Sequence, residues 1–235
     1  MKLLPWRRPS SMWEAGPRCA RFTWKRRRPT ESLEDVGTAE LHRATRRARK
    51  RLFDTLVIWA LSPFIVLALA GAALAIVATT GDPILFGQDR IGLNGRVFRM
   101  WKFRTMAANL PGGEVTLIQD DRVTPVGRIL RQFHLDELPQ VWNVLNGDMS
   151  LVGPRPEQPS LARRYSLDSP EFELRLLVPP GITGWAQVRC SYAGNLSETM
   201  IKLSHDLYYI EHQSAVFDLW ILVRTVGVIA GRGGR

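Results

Sequence analysis

Asp136 and Glu137 offer this sequence's clearest chemistry. A carboxylate can act as nucleophile, general base or metal ligand. The pair also suits a structural role, because aspartate commonly caps a helix start and Pro139 fits a first helical turn. Its cationic company favours chemistry. Lys102, Arg104, Arg128, Arg131 and Arg155 fall within two short stretches and one turn. Arg155 stands between Pro154 and Pro156, so its backbone is stiff. A stiffly mounted guanidinium suits bidentate phosphate recognition. Each cation taken singly reads as a solvated surface charge. Together with two carboxylates they describe a site for a phosphorylated ligand and a divalent cation, since Mg²⁺ takes one or two carboxylates plus substrate phosphates. Walker-type, GxGxxG, GxSxG and HExxH patterns are absent.

Several elements must position these groups. Leu93-Asn94-Gly95-Arg96 predicts a hairpin between strands in the region Pro83 to Arg104. Period-two alternation then puts Lys102 and Arg104 on one face. Residues 107–120, with Leu110-Pro111-Gly112-Gly113, read as a covering loop. Thr124-Pro125 predicts an N-cap and first helical position, with Val126, Ile129, Leu130 and Phe133 as the apolar face. A second helix is expected from about Asp136 to Asn146-Gly147. Val152 to Pro156 is a turn, and a polar, partly helical stretch follows to Pro179-Pro180-Gly181. Glu198–Glu211 and Ala215–Ala230 read as amphipathic helices. Asp218 and Arg224 suit the second to an interface better than to a crossing.

The 235-residue chain carries a formal net charge of +10, and residues 1–51 account for all of it. Such an arm suits an anionic surface. It has no nucleic-acid fold signature, so no nucleic-acid partner is expected. Thr55 to Gly81 contains no charged residue. At about 1.5 Å per residue this stretch is long enough for a hydrocarbon core of roughly 30 Å. Basic residues flank it on both sides, Lys50 and Arg51 before and Arg90 to Arg104 after, which conflicts with a simple crossing. A helix that enters, bends at Ser62-Pro63 and leaves on the same face resolves the conflict. Cys19 and Cys190 lack metal-ligand spacing and are read as neither a disulfide framework nor a zinc site.

These stretches resemble the bacterial sugar transferase family, the monotopic phosphoglycosyl transferases that start undecaprenyl-linked glycan assembly. The resemblance runs from about Lys50 to Gly234. It rests on Lys50-Arg51-Leu52-Phe53-Asp54, Ser62-Pro63, Phe86 to Gly92, Lys102-Phe103-Arg104-Thr105-Met106, Leu135 to Glu157, Pro180 to Val188 and Asp206-Leu207-Tyr208-Tyr209. It implies a re-entrant helix broken at Ser62-Pro63. It implies Asp136 as the nucleophile on the β-phosphate of a UDP-sugar, with release of UMP and an aspartyl-phosphosugar intermediate. Undecaprenyl phosphate then takes the phosphosugar. Glu137 is implied as Mg²⁺ ligand or proton acceptor beside Asp136. Lys102, Arg131, Pro154 and Arg155 match substrate-binding positions, and Arg104 is placed with them.

The expected architecture is thus α+β, mainly α, and monotopic. A basic arm (1–45) leads into a re-entrant membrane helix (46–82) and a catalytic domain (83–235) with a small β-hairpin and interfacial helices. The resemblance implies the inner membrane and its cytoplasmic face, within exopolysaccharide, O-antigen or glycoconjugate assembly; a homodimer is left open. The chain departs from the family at His134, where many relatives have a small polar residue. It departs again at Arg189-Cys190-Ser191-Tyr192, which leaves the sugar open. Many relatives carry further membrane helices upstream, so the chain reads as a minimal form. Two rival readings are a Mg-dependent membrane phosphodiesterase with water as acceptor and a membrane-tethered binding protein with a basic arm.

Overall fold

The computed structural model describes residues 33–107, 122–190 and 196–232. These are mainly helical, with two small sheets. Helix α1 (Leu33–Thr80) leads into the antiparallel hairpin of β1 (Leu85–Ile91) and β2 (Val97–Phe103). Next come α2 (Pro125–Gln132), a 3-10 turn (Leu135–Glu137), α3 (Gln140–Asn146) and β3 (Ser150–Val152). Helix α4 (Pro159–Asp168) and a 3-10 stretch (Pro170–Leu177) lead to β4 (Gly181–Thr183), which pairs in parallel with β3. The short α5 (Trp185–Arg189), α6 (Leu196–His212) and α7 (Ala215–Arg232) follow. The expected arm lies largely outside the described residues, and so does Leu110-Pro111-Gly112-Gly113.

Helix α1 contains both the basic run and the apolar stretch. Among the described residues its segment Ala44–Thr80 is the one long and apolar enough to cross a membrane, and only 11% of that segment's apolar window is buried. A core helix of a soluble protein would be mostly covered. Ile58, Ile65, Leu69, Ala72 and Ile76 form a stripe at helical spacing that packs on the rest of the fold. Trp59, Phe64, Leu67 and Leu74 stay exposed. Pro63 lies inside the helix without ending it. Ser62 Oγ donates to the Trp59 carbonyl at 2.8 Å. That carbonyl is the one a proline at position 63 leaves without its N–H partner.

Both ends of the apolar segment touch the same folded body. At the first end, Lys50 Nζ lies 2.9 Å from Asp218 Oδ2 on α7 and 3.2 Å from Asp54 Oδ1. Arg51 also donates there, to the Leu145 carbonyl of α3 at 3.3 Å. At the other end Arg104 donates to the carbonyls of Thr80, Gly81 and Asp82 at 2.9, 2.7 and 3.0 Å. Helix ends leave such carbonyls unpaired, and a cation there also meets the negative end of the helix dipole.

Two local expectations need correction. Asp136 does not cap a helix. The 3-10 turn holds Asp136 and Glu137, and α3 begins only at Gln140 with Pro139 before it. Asp218 is only 1% exposed and paired with Lys50, so it faces the body and not the polar side of an interface. Cys19 lies outside the described residues, and the reading of the two cysteines falls there with it. Three local turn and cap expectations agree. Asn94 and Gly95 turn the hairpin at positive φ, Thr124 Oγ1 accepts from Gly127 N at 2.9 Å, and Gly147 ends α3 at φ 85°.

Candidate active site

The acidic pair is positioned by the leucines around it. Helix α2 ends at Gln132, and His134 takes a left-handed conformation at φ 55° that reverses the chain. Leu135 and Leu138 then pack against Phe103, Leu130, Ala72 and Ile76. In a 3-10 turn, residues three apart share a face, so burying these two leaves Asp136 and Glu137 on other faces. Burial of a leucine contributes roughly 1.5–3 kcal/mol when complete, which is enough to set the orientation of a three-residue turn.

Glu137 is buried and fully engaged. Lys102 Nζ, from β2, donates to its Oε1 at 3.0 Å. Arg155, from the loop after β3, donates through Nη2 to Oε1 and through Nη1 to Oε2 at 3.3 Å. Burial alone would raise the Glu137 pKa. The Arg155 and Lys102 charges and hydrogen bonds overcome that and hold it well below the usual carboxylate range. Arg155 is raised in turn, first by the Glu137 charge. Lys102 is lowered by burial, against the pull of Glu137.

Asp136 is in a different state. It is half-buried, and no hydrogen bond reaches its carboxylate among the described residues. Burial raises its pKa first and the neighbouring Glu137 charge second, while Lys102, His134 and Arg131 pull the other way. Arg131 is steered by Thr105, whose Oγ1 accepts from Arg131 Nε at 2.8 Å. Lys102, Arg131 and Arg155 outnumber the two carboxylates, so the site carries positive charge for an anion.

Lys102, Arg131, Asp136, Glu137 and Arg155 thus come together. Pro154 is buried behind Arg155. Arg104 does not join them, because its guanidinium closes the end of α1. Ser62 and Pro63 lie within α1. The donor set fits Mg²⁺ through the unpaired Asp136 carboxylate, with phosphate oxygens completing the shell. Glu137 already shares both oxygens with cations, and no group of three metal-ligating side chains occurs among the described residues.

Sequence reasoning left out several supporting residues. Asn143 accepts from Trp101 N at 3.2 Å and donates to the Arg99 carbonyl at 2.8 Å, fixing α3 to β2. Thr105 steers Arg131. Arg175 and Asp206 form a buried pair behind Arg155 at 2.8 Å. Asp206 was visible as part of a motif, whereas nothing in the polar stretch around Arg175 marked that arginine.

The match to known sequences is decisive at this point. The model of the family described as bacterial sugar transferase covers residues 45–232. The chain belongs to the bacterial sugar transferase family. Among its relatives is an Aeromonas hydrophila UDP-N-acetylgalactosamine-undecaprenyl-phosphate N-acetylgalactosaminephosphotransferase, 42% identical over 79% of this chain and 45% of that protein. A Caulobacter vibrioides UDP-glucose:undecaprenyl-phosphate glucose-1-phosphate transferase is 44% identical over 76% of the chain and 68% of that protein. A Rhizobium leguminosarum exopolysaccharide production protein is 37% identical over 75% of the chain and 92% of that protein. The sugar transferase match thus spans less than half the length of the Aeromonas relative.

Proposed function

We propose that this chain moves a sugar-1-phosphate from a UDP-sugar to undecaprenyl phosphate, giving undecaprenyl-diphosphate-sugar and UMP. The work takes place at the cytoplasmic face of the inner membrane and begins the assembly of an exopolysaccharide or a related glycan. The observation that carries this reading is the unequal state of two adjacent carboxylates. Glu137 is saturated by Lys102 and Arg155, whereas Asp136 beside it has no hydrogen-bond partner among the described residues. A carboxylate without a partner is a competent nucleophile.

An Asp136 oxygen bonds to the β-phosphorus of the donor. The bond from that phosphorus to the bridging oxygen breaks, and its electron pair leaves with UMP. An oxygen of undecaprenyl phosphate then attacks the same phosphorus and releases the Asp136 carboxylate. Arg131, held at Nε by Thr105, turns its remaining donors to the diphosphate. Arg155 and Lys102 keep Glu137 ionised, and the donors they do not spend on it face the phosphates. Mg²⁺, when bound, offsets the phosphate charge that would repel Asp136.

The names of the relatives differ in the sugar, glucose in one and N-acetylgalactosamine in another, so the donor is assigned only as a UDP-sugar. Re-entry of α1 is supported by the contact of both its ends with one body. The test is to incubate the protein with donor labelled at the β-phosphate, without lipid acceptor. Label on Asp136 and release of UMP are expected, and neither in Asp136→Asn. Lipid product accumulating with no adduct at Asp136 would overturn the covalent route. Sugar phosphate released to water with no lipid product would make the protein a hydrolase.

A further inference from the structure

The Asp206-Leu207-Tyr208-Tyr209 motif has no part in the chemistry above, yet two of its side chains reach the loop that carries Arg155. Asp206 and Tyr209 are three apart on α6 and so lie on one face. Asp206 Oδ2 accepts from Arg175 Nε at 2.8 Å, and Arg175 Nη2 donates to the Arg155 carbonyl at 2.8 Å. The Tyr209 hydroxyl lies 2.9 Å from the Val152 carbonyl, at the start of the same loop, and 2.7 Å from Asp218 Oδ1. Arg175 and Asp206 are both buried, and the guanidinium also sits over the Phe172 ring at 4.6 Å.

The loop is held at almost every peptide. Gly153 N donates to the Thr183 carbonyl at 2.9 Å, and the Pro154 carbonyl accepts from Gly181 N at 2.9 Å. The Pro156 carbonyl accepts from Arg90 at 3.1 Å, and the Glu157 carbonyl accepts from Ile91 N at 3.0 Å. Pro156 restricts the conformation of Arg155. The Arg175 bond then fixes the peptide that follows Arg155, and with it the direction of its side chain toward Glu137. A buried ion pair contributes little net stability once its desolvation cost is counted. What Arg175 and Asp206 supply is geometry.

We propose that Arg175, oriented by Asp206 and assisted by Tyr209, is the positioning residue that aims Arg155. The inference rests on the reading of Arg155 as a contact to the donor phosphates. It is tested by a double-mutant cycle on binding of UDP with Mg²⁺, measured calorimetrically on the full chain in detergent. Arg175→Lys keeps a charge beside Asp206 but cannot also reach the Arg155 carbonyl. Arg155→Ala and Arg175→Lys are each expected to weaken UDP binding about tenfold, and the double variant no more than either alone. Independent, additive losses, or unchanged UDP affinity in Arg175→Lys, overturn the positioning role. Unchanged affinity in Arg155→Ala is a different failure, because it removes the phosphate contact and takes the inference with it. Should Arg175→Lys fail to fold, Tyr209→Phe replaces it; a twofold to threefold loss of affinity that vanishes in the Arg155→Ala background is expected, and an unchanged affinity or a loss that persists there overturns the proposal.

Discussion

Asp136 and Glu137 share a turn but not an environment. Burial and the Glu137 charge push the Asp136 carboxyl up from its ordinary 3.8. The proposed attack requires the ionised form, so the rate should fall as pH drops through this raised value, and at a higher pH than an ordinary aspartate would give. A pH profile of single-turnover UMP release checks this. Glu137 is shifted in the opposite direction. Its folded value is depressed from 4.5, so its stabilisation is present above 4.5 and is lost only as pH falls into the strongly acidic range. Removing Lys102 leaves Arg155 as its one paired cation among the described residues. Lys102→Met should therefore lower the unfolding free energy by about 1.5–3 kcal/mol, read from denaturant titration at neutral pH. His205 supplies a second pH signature. Burial first, and the Arg189 charge second, lower it from 6.5 to about 4. The unfolded chain takes up that proton first, so stability should decline from pH 6.5 down to about 4. His205→Gln should flatten that part of the stability curve.

At the level of elements, the hairpin, the Thr124 cap and the Gly147 helix end were legible because each depends on local backbone chemistry. Asn94 and Gly95 take positive φ as the turn requires. Arg104 was misplaced because strand alternation gives a face and not a partner. Its three carbonyl acceptors lie more than twenty residues earlier, at the end of α1. Arg104→Ala should therefore lower thermal stability by about 1–3 kcal/mol and leave UDP affinity unchanged; weaker UDP binding would return Arg104 to the site. Ser62→Ala removes the hydroxyl that serves the Trp59 carbonyl. It should loosen α1 around Pro63 by about 1 kcal/mol, visible as faster amide exchange from residue 59 to 66.

For the whole molecule, the informative fact is where α1 begins and ends its contacts. Lys50 and Arg51 bind α7 and α3, and the Thr80 to Asp82 carbonyls bind Arg104. A helix crossing the bilayer would place those two ends on opposite sides, while one folded body holds both. Accessibility tags placed near residues 45 and 82 should therefore react from the same side of inverted vesicles. Reaction from opposite sides would exclude re-entry. The exposed Trp59, Phe64, Leu67 and Leu74 face away from the stripe that packs on the body, and burial in lipid removes that apolar surface from water.

By itself the sequence determined the hairpin, most of the helices, the uncharged segment, the acidic pair and its cationic company, and through its motifs the family. All of these are written in residue type and short spacing, which act within a turn or a strand. The tertiary structure alone decided how the charges pair. It gave Glu137 to Lys102 and Arg155, left Asp136 without a hydrogen-bond partner among the described residues, and assigned Arg104 to the end of α1. It also joined Asp206 through Arg175 to the loop that carries Arg155. An ion pair depends on separations of a few ångströms between side chains far apart in the chain, and no local pattern encodes that distance.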